Sequence, residues 1–165
     1  ERDRAKIAFL RCTAIRVGEI PAIKISDIDW HEGKLTISGG KNDKYRLVCI
    51  DRVANEYLTR YLKKRNVSYD SNEPLFTCKE TTRALTVAGI YHAIKTIAKN
   101  AKMKVNVYPH LIRKTTATNI VKRGGSTETA GEYLGHAERN TAGKHYAFKG
   151  SDHVIKLFNS YVAAV

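Results

Sequence analysis

One stretch of the chain has the alternation that a β-hairpin requires, and it constrains the fold more than any other feature. Apolar and polar residues alternate from Lys34 to Ser38, the pair Gly39-Gly40 follows, and residues 45–50 form a second strand-like run. Period-two alternation on both sides of a glycine turn predicts an antiparallel hairpin. Lys41 and Lys44 then place two ammonium groups at or near its tip.

Helical patterns fill most of the remaining chain. Apolar residues recur at helical spacing, Pro109 suits the first position of its helix, and Ser126 suits an N-cap after a glycine pair. The predicted helices span residues 3–15, a short segment from 16, 51–66, 87–102, 110–123, a short segment after 126, and 138–165 with a break near 150. The predicted class is α+β, mostly α-helical with a small antiparallel sheet, and not a doubly wound fold.

The charge balance narrows the class of partner. The 165 residues include 29 Lys and Arg against 16 Asp and Glu, which gives a net charge of +13. Such a surplus attracts polyanions and favours nucleic acid, while an anionic lipid surface or a basic surface without a ligand stays open on charge alone. No apolar run approaches the roughly 20 residues that span a bilayer. The length predicts one domain over residues 1–165, and we expect it to be the C-terminal part of a longer protein.

The cysteines and histidines indicate no cofactor. Cys12, Cys49 and Cys78 form no CxxC pair, which predicts reduced, core-filling thiols in a cytosol-like compartment. The six histidines lack the spacing of a recognised metal site, and no GxxxxGK[ST] segment is present. We therefore expect no metal and no nucleotide cofactor.

Four separated patches carry groups suited to chemistry on phosphate, and their order matters. The patches are Ala14-Ile15-Arg16-Val17-Gly18-Glu19-Ile20, the turn with Lys41, His110-Leu111-Ile112-Arg113, and Leu134-Gly135-His136 with Tyr146 ten positions later. Guanidinium groups stay charged and donate two bonds to a phosphate. A phenol with a pKa near 10 becomes a nucleophile only beside a base or a positive field.

In this order the patches resemble the catalytic domain of the tyrosine recombinases, the integrase-type enzymes. That family carries an Arg in an xRxGEL-like segment, a Lys in a β-turn, an HxxR box, an LGH box and a Tyr about nine residues later. The similarity runs from Glu1 to at least Phe148. The chain departs from the pattern in its two glycines before Lys41 and in the ten steps from His136 to Tyr146. The family's upstream DNA-clamping domain is absent from this sequence.

The resemblance implies a site-specific recombinase or integrase that cleaves and rejoins DNA through a covalent 3′-phosphotyrosine. It implies these catalytic residues: Arg16, Lys41, His110, Arg113, His136 and Tyr146. Lys41 would protonate the departing 5′ oxygen, with Lys44 as its rival because the second glycine blurs the register. The histidines would bond the phosphate or accept the tyrosine proton. Glu19 would orient its neighbours, or pair with Arg16 as an ordinary carboxylate.

Rival assignments stay open for the nucleophile and for the function. Tyr133 and Tyr161 are the other candidate nucleophiles, although their apolar surroundings favour packing. A type IB topoisomerase-like enzyme or a catalytically inactive DNA-binding homologue would share the fold. An RNA-binding or membrane-surface module is disfavoured, since neither an aromatic RNA-binding run nor a basic amphipathic helix appears.

Further basic residues beside the boxes predict the DNA contacts. The candidates are Lys44, Arg46, Lys114 and Arg139. The expected partners are double-stranded DNA and further copies of the chain in a synaptic tetramer on DNA, with no membrane, in the cytoplasm of a bacterial or archaeal host. Residues 152–165 are expected to pack against their own domain or a neighbouring protomer.

Overall fold

The helices and strands enclose one central helix. A computed structural model of the chain describes residues 1–38, 45–78, 81–135 and 151–163. The helices in these segments are α1 (Arg2–Thr13), α2 (Arg52–Arg65), α3 (Val87–Asn100), α4 (Pro109–Lys122), α5 (Thr127–Leu134) and α6 (Ser151–Tyr161). The strands are β1 (Ile28–Asp29), β2 (Lys34–Ser38) and β3 (Tyr45–Cys49), and two 3₁₀ helices cover Val17–Ala22 and Ile25–Asp27. The predicted α+β class is confirmed.

The sheet is antiparallel in the order β1-β2-β3. Its register pairs Leu35 with Val48 and Ile37 with Arg46. Leu35, Ile37 and Val48 are buried, so the alternation along β3 turns Arg46 toward the interior as well. The predicted hairpin strands are confirmed to within one residue, and residues 39–44 of its turn lie outside the described residues.

Side-chain and backbone caps set the helix ends close to where the sequence predicts them. The Asp51 carboxylate accepts the Ala54 N–H at 2.8 Å, and the Ser126 hydroxyl accepts the Thr129 N–H at 3.1 Å. Pro109 occupies the first turn of α4, where its missing N–H costs no helical bond. Helix α1 ends at Thr13, and the residue that caps it, Ala14, has a left-handed φ of 45°. This conformation turns the chain away from the helix axis just before Arg16.

Two further predicted helices are present. The short helix predicted from Arg16 is a 3₁₀ helix, Val17–Ala22, with Pro21 inside it. A proline lacks the N–H that an α-helical bond at that position would use. The helix predicted over residues 87–102 is α3, in which Val87 and Tyr91 are 38% and 36% exposed. The buried residues of that helix are Ile90, Ile94 and Ala98.

The core forms around α1, which packs against α2, α3, α4 and β3. Phe9 of α1 is fully buried and meets Phe76 edge to face at 5.6 Å between ring centroids. Cys12 and Cys49 are buried free thiols and Cys78 is partly buried, which confirms their packing role. No helix in the described segments combines the length and apolarity that a membrane crossing needs. Because α1 is packed on several sides, the residues that follow its C-terminus start from a fixed position. The candidate site begins there.

The last described helix packs on its own domain. Phe158 of α6 and Val162 directly after this helix are buried, and the helix contacts α5 and β3. The Arg123 guanidinium donates to the Tyr161 and Ala163 carbonyls at 3.2 and 3.1 Å. Of the two surfaces expected for the C-terminal segment, the structure uses the one within the same chain.

Candidate active site

A buried guanidinium on α4 joins the ends of two other helices. Arg113 is 6% exposed; it donates through Nη1 to the Ala14 carbonyl and through Nη2 to the Leu134 carbonyl, the latter at 2.6 Å. These carbonyls end α1 and α5, where the helical ladder leaves acceptors free. The planar fork therefore holds the segments around Arg16 and Gly135 together.

Two further arginine side chains act electrostatically on the Arg113 guanidinium. Burial, followed by the charges of Arg16 and Arg46, lowers the pKa of Arg113 to about 10, and the charge of Glu19 opposes this shift. A pKa of about 10 still leaves Arg113 charged at neutral pH. The site thus contains three guanidinium groups around the Glu19 carboxylate, an arrangement that favours the arrival of an anion.

Arg16 is the exposed member of this group. It precedes the 3₁₀ helix Val17–Ala22, and 47% of its side chain is accessible. Its Nη2 donates to the Gly135 carbonyl at 3.0 Å, and its Nη1 lies 3.4 Å from Glu19 Oε1. The guanidinium is therefore anchored at one edge while much of it faces solvent.

Glu19 pairs most closely with Arg46 of β3. The Arg46 Nη1 and Nη2 atoms donate to the two Glu19 oxygens at 2.6 Å each, and the Arg16 backbone N–H donates to Glu19 at 2.8 Å. Burial raises the Glu19 pKa, but the bonds and charge of Arg46 and the bonds and charge of Arg16 outweigh it, so the net pKa is lowered. Glu19 is consequently an anion at neutral pH.

Gly135 of the LGH box lies directly over the stem of Arg46. Its φ is 65°, and a Cβ built there would come within 2.8 Å of Arg46 Cδ. The left-handed backbone favours glycine, and an added Cβ would force the Arg46 stem to shift. Gly135, the residue before His136, therefore packs against the Arg46 side chain that pairs with Glu19.

The substitution Gly135→Ala should destabilise the domain by about 1–2 kcal/mol through its left-handed φ and should also displace Arg46. A thermal melt measures the first effect. Gly124→Ala is the matched control, because Gly124 has a φ of 92° but nothing within 4 Å of the added carbon. Both changes should lower the melting temperature, and only Gly135→Ala should also slow DNA cleavage. Equal cleavage by the two variants would contradict the role given to this contact.

Two further predicted site residues lie on the surface of α4. His110 is exposed one turn before Arg113, and Lys114 is exposed directly after it. The structure therefore brings Arg16, Glu19, Arg46 and Arg113 into one network, and it leaves His110 and Lys114 exposed on the helix that carries Arg113.

The other predicted site residues fall outside the described segments. They are Lys41, Lys44, His136, Arg139 and Tyr146. Their roles stay predictions. Gly135 directly precedes His136, and β3 begins directly after Lys44. Gly135 contacts the stem of Arg46, which lies in β3.

The chain matches the model of a known protein family over most of its length. The model of the phage integrase family matches residues 1–152. The chain belongs to the phage integrase family.

Individual relatives agree with this membership. Tyrosine recombinase XerC of Staphylococcus aureus (strain JH9) is 29% identical over 144 residues, which is 87% of this chain and 48% of the relative. The chain thus spans about half the length of the curated relatives it matches.

Solved structures agree as well. The XerA recombinase crystal structure has a TM-score of 0.73 at 29% identity, covering 95% of this chain and 57% of that one. XerH recombinase in a pre-cleavage complex with its difH substrate has a TM-score of 0.66 at 29% identity, covering 82% and 40%. The integrase of mycobacterium phage Brujita, at 18% identity, 99% and 54% coverage and a TM-score of 0.72, shares the fold.

Within this phage integrase domain the two rival tyrosines have packing roles. Tyr133 is buried and its hydroxyl donates to the Cys12 carbonyl. Burial raises the pKa of Tyr133 well above its usual range, so its phenolate is suppressed. Tyr161 packs partly buried against the core, and its carbonyl accepts a bond from Arg123.

The sequence reasoning missed the pairing of Arg46 with Glu19. A signal for it was present in the strand pattern, because Arg46 is two residues from the apolar Val48 and so shares its face. A charge on the inner face of a strand needs a partner. Within the described segments, His, Cys, Asp and Glu side chains form no group of three that could hold a metal ion.

Proposed function

We propose that this phage integrase domain cleaves and rejoins double-stranded DNA as a site-specific recombinase. The observation that carries the proposal is the convergence of Arg16 and Arg113 at the backbone that leads into His136. Fixed donors of this kind stabilise negative charge as it develops on a reacting phosphate, because they need no rearrangement during the reaction.

The proposed cleavage step is a transesterification. The Tyr146 oxygen attacks the phosphorus, the bond to the 5′ oxygen breaks, and a 3′-phosphotyrosine forms. Lys41 protonates the leaving oxygen, while His110 and His136 bond the phosphate or accept the tyrosine proton. Rejoining reverses these steps when a 5′ hydroxyl attacks the phosphotyrosine. The ester bond energy is kept in the intermediate, so no nucleotide is consumed.

The arginines suit the charge that this step develops. Arg113 uses two of the five N–H donors of a guanidinium on backbone carbonyls. Arg16 is half exposed and bonded at one edge, so its other donors are available to a non-bridging oxygen. A phosphodiester would relieve the mutual repulsion of the three guanidinium groups, which supports an anionic ligand at this position.

The proposed partners are a recombination site in duplex DNA and further copies of the chain assembled on it. XerH, at 29% identity, is solved in complex with its difH substrate, and the net charge of +13 suits the same class of ligand. The cytoplasm is the proposed compartment, since the cysteines are free thiols.

We propose that Lys114, and likewise Lys44 and Arg139, contact DNA phosphates. Replacing the exposed Lys114 with alanine should weaken duplex binding to a similar degree on every sequence and lower the slope of log K against log salt by about 1. Fluorescence anisotropy at several salt concentrations on two unrelated duplexes measures both quantities. A loss restricted to one sequence would instead assign Lys114 to base recognition.

Covalent trapping tests the proposed function. The chain is incubated at low salt with a labelled duplex nicked near the cleavage position, so that the released fragment diffuses away and the intermediate cannot be resealed. A labelled protein band on a denaturing gel is expected. Duplex binding without any band would support an inactive DNA-binding homologue instead. Transfer of the label to a second duplex distinguishes a recombinase from an enzyme that only reseals the same strand.

A further inference from the structure

We propose that Arg46 is a positioning residue: it binds both oxygens of the Glu19 carboxylate, limits the Arg16 side chain to one long bond with Glu19, and so keeps the Arg16 guanidinium available to the reacting phosphate. The inference rests on the proposed function and adds a residue to it. It also changes the role expected for Arg46, which the sequence reasoning assigned to gripping DNA.

Two arginines compete for one carboxylate at this site. Arg46 donates two bonds of 2.6 Å to Glu19, whereas the Arg16 side chain approaches the same carboxylate at 3.4 Å. A carboxylate accepts a guanidinium fork through both oxygens, so a bidentate pair with one arginine excludes the same pair with another. The difference in distance shows that Arg46 holds the carboxylate.

The position of Arg46 suits this role better than contact with DNA. Only 17% of its side chain is accessible, its stem lies beneath Gly135, and both of its terminal nitrogens donate to Glu19. To reach a phosphate, Arg46 would have to give up both of its short bonds to Glu19, a loss that is costly for a carboxylate whose side chain is only 17% accessible.

Removal of Arg46 should therefore release Glu19 onto Arg16. The two residues are three positions apart, the Arg16 N–H already binds the carboxylate at 2.8 Å, and the Arg16 Nη1 lies 3.4 Å from it, so the Arg16 guanidinium is the nearest replacement partner for Glu19. Arg16 would then be neutralised within the protein and would no longer serve a phosphate.

A double-mutant cycle tests this competition. Arg46→Met keeps an unbranched apolar stem beneath Gly135 and removes the charge. Its single-turnover rate of adduct formation should fall on the order of a hundredfold, the usual cost of losing one charge-stabilising donor. Adding Glu19→Gln removes the competing anion, so the double variant should form the adduct at least several-fold faster than Arg46→Met. A double variant as slow as the single variant, or slower, overturns the inference.

Binding separates positioning from phosphate contact. With Tyr146→Phe present in every protein to block chemistry, and Arg16→Met present in every protein to remove the Arg16 contact, Arg46→Met should bind the duplex as its parent does, with the same salt slope. Lys114→Ala in the same background provides the comparison, since it should lose about one unit of slope. A similar loss of slope in Arg46→Met would make Arg46 a phosphate ligand and overturn the inference.

A readout independent of cleavage keeps this inference distinct from the proposed function. Nitrogen-15 spectra of the Arg16 guanidinium report its rotation, which slows when both terminal nitrogens are bonded to a carboxylate. Rotation should slow in Arg46→Met and recover when Glu19→Gln is added. Unchanged rotation in all variants overturns the inference. A parent chain that forms no adduct would contradict the proposed function, while these spectra would still decide the role of Arg46.

A conservative variant guards against a merely structural effect. Arg46→Lys retains a charge and most of the stem but has no planar fork, so it should hold Glu19 partially and give an adduct rate between those of the parent and Arg46→Met. Thermal melts of all variants accompany the rates. Rates that follow melting temperature alone, without rescue by Glu19→Gln, would assign Arg46 a purely structural role.

Discussion

Replacing Tyr146 with phenylalanine should abolish the covalent protein–DNA adduct while duplex binding persists. Phenylalanine lacks the oxygen that would attack the phosphorus, and loss of a nucleophile typically lowers turnover on the order of 10⁴-fold or more. The arginines and lysines that attract the duplex are unchanged. A labelled, nicked duplex and a denaturing gel measure the adduct, and fluorescence anisotropy measures binding.

Two other tyrosines supply controls for this experiment. Tyr161→Phe should form the adduct at the parent rate, because Tyr161 packs against the core and its bond to Arg123 uses the backbone carbonyl. Tyr133→Phe should cost about 1 kcal/mol of stability, because the buried hydroxyl loses its bond to the Cys12 carbonyl. An adduct that survives in Tyr146→Phe would move the nucleophile to another tyrosine and refute the assigned register.

Replacing Arg113 with lysine should impair both chemistry and stability. A lysine cannot bridge the Ala14 and Leu134 carbonyls with a planar fork, so a buried acceptor is left unpaired at a cost of about 1–3 kcal/mol. The same change removes a fixed donor from the phosphate site, for which the usual loss of rate is about 10²–10³-fold. Thermal or denaturant unfolding and single-turnover cleavage measure the two effects.

Arg123→Lys is the matched control for that experiment. Arg123 also donates to two backbone carbonyls, those of Tyr161 and Ala163, but it is exposed and caps α6 instead of joining the site. Its replacement should cost less stability, since water can satisfy the released carbonyls, and should leave adduct formation near the parent rate. If Arg113→Lys also kept the parent rate despite its lower stability, the role of Arg113 would be structural only.

The parts of the fold that could be predicted from sequence are those set by neighbouring residues. Alternation around Leu35 and Val48 indicated the two hairpin strands, Pro109 marked the start of α4, and Ser126 indicated the cap of α5. Each signal lies within a few residues of the structure it specifies. The type of the short helix after Arg16 was not predicted, because α and 3₁₀ turns differ in bonding by only one residue.

The candidate site was less accessible to such reasoning because backbone atoms form much of it. The resemblance placed Arg16 and Arg113 among the catalytic residues, yet no pattern indicates that Arg113 binds a carbonyl 99 positions earlier. The identities of the side chains do not indicate which backbone carbonyls at a helix end remain available to a distant arginine. The pairing of Arg46 with Glu19 depends similarly on a contact across 27 positions.

The span of these contacts has a consequence for the timing of synthesis. Arg16 bonds to Gly135, which follows it by 119 positions, and Arg113 waits for the end of α5. Ribosomes add about 5–20 residues per second, so for several seconds a growing chain has Arg16 but not the carbonyl that Arg16 bonds. The proposed nucleophile emerges later still. An interrupted product of translation that ends before Tyr146 would therefore carry basic residues but lack the proposed nucleophile.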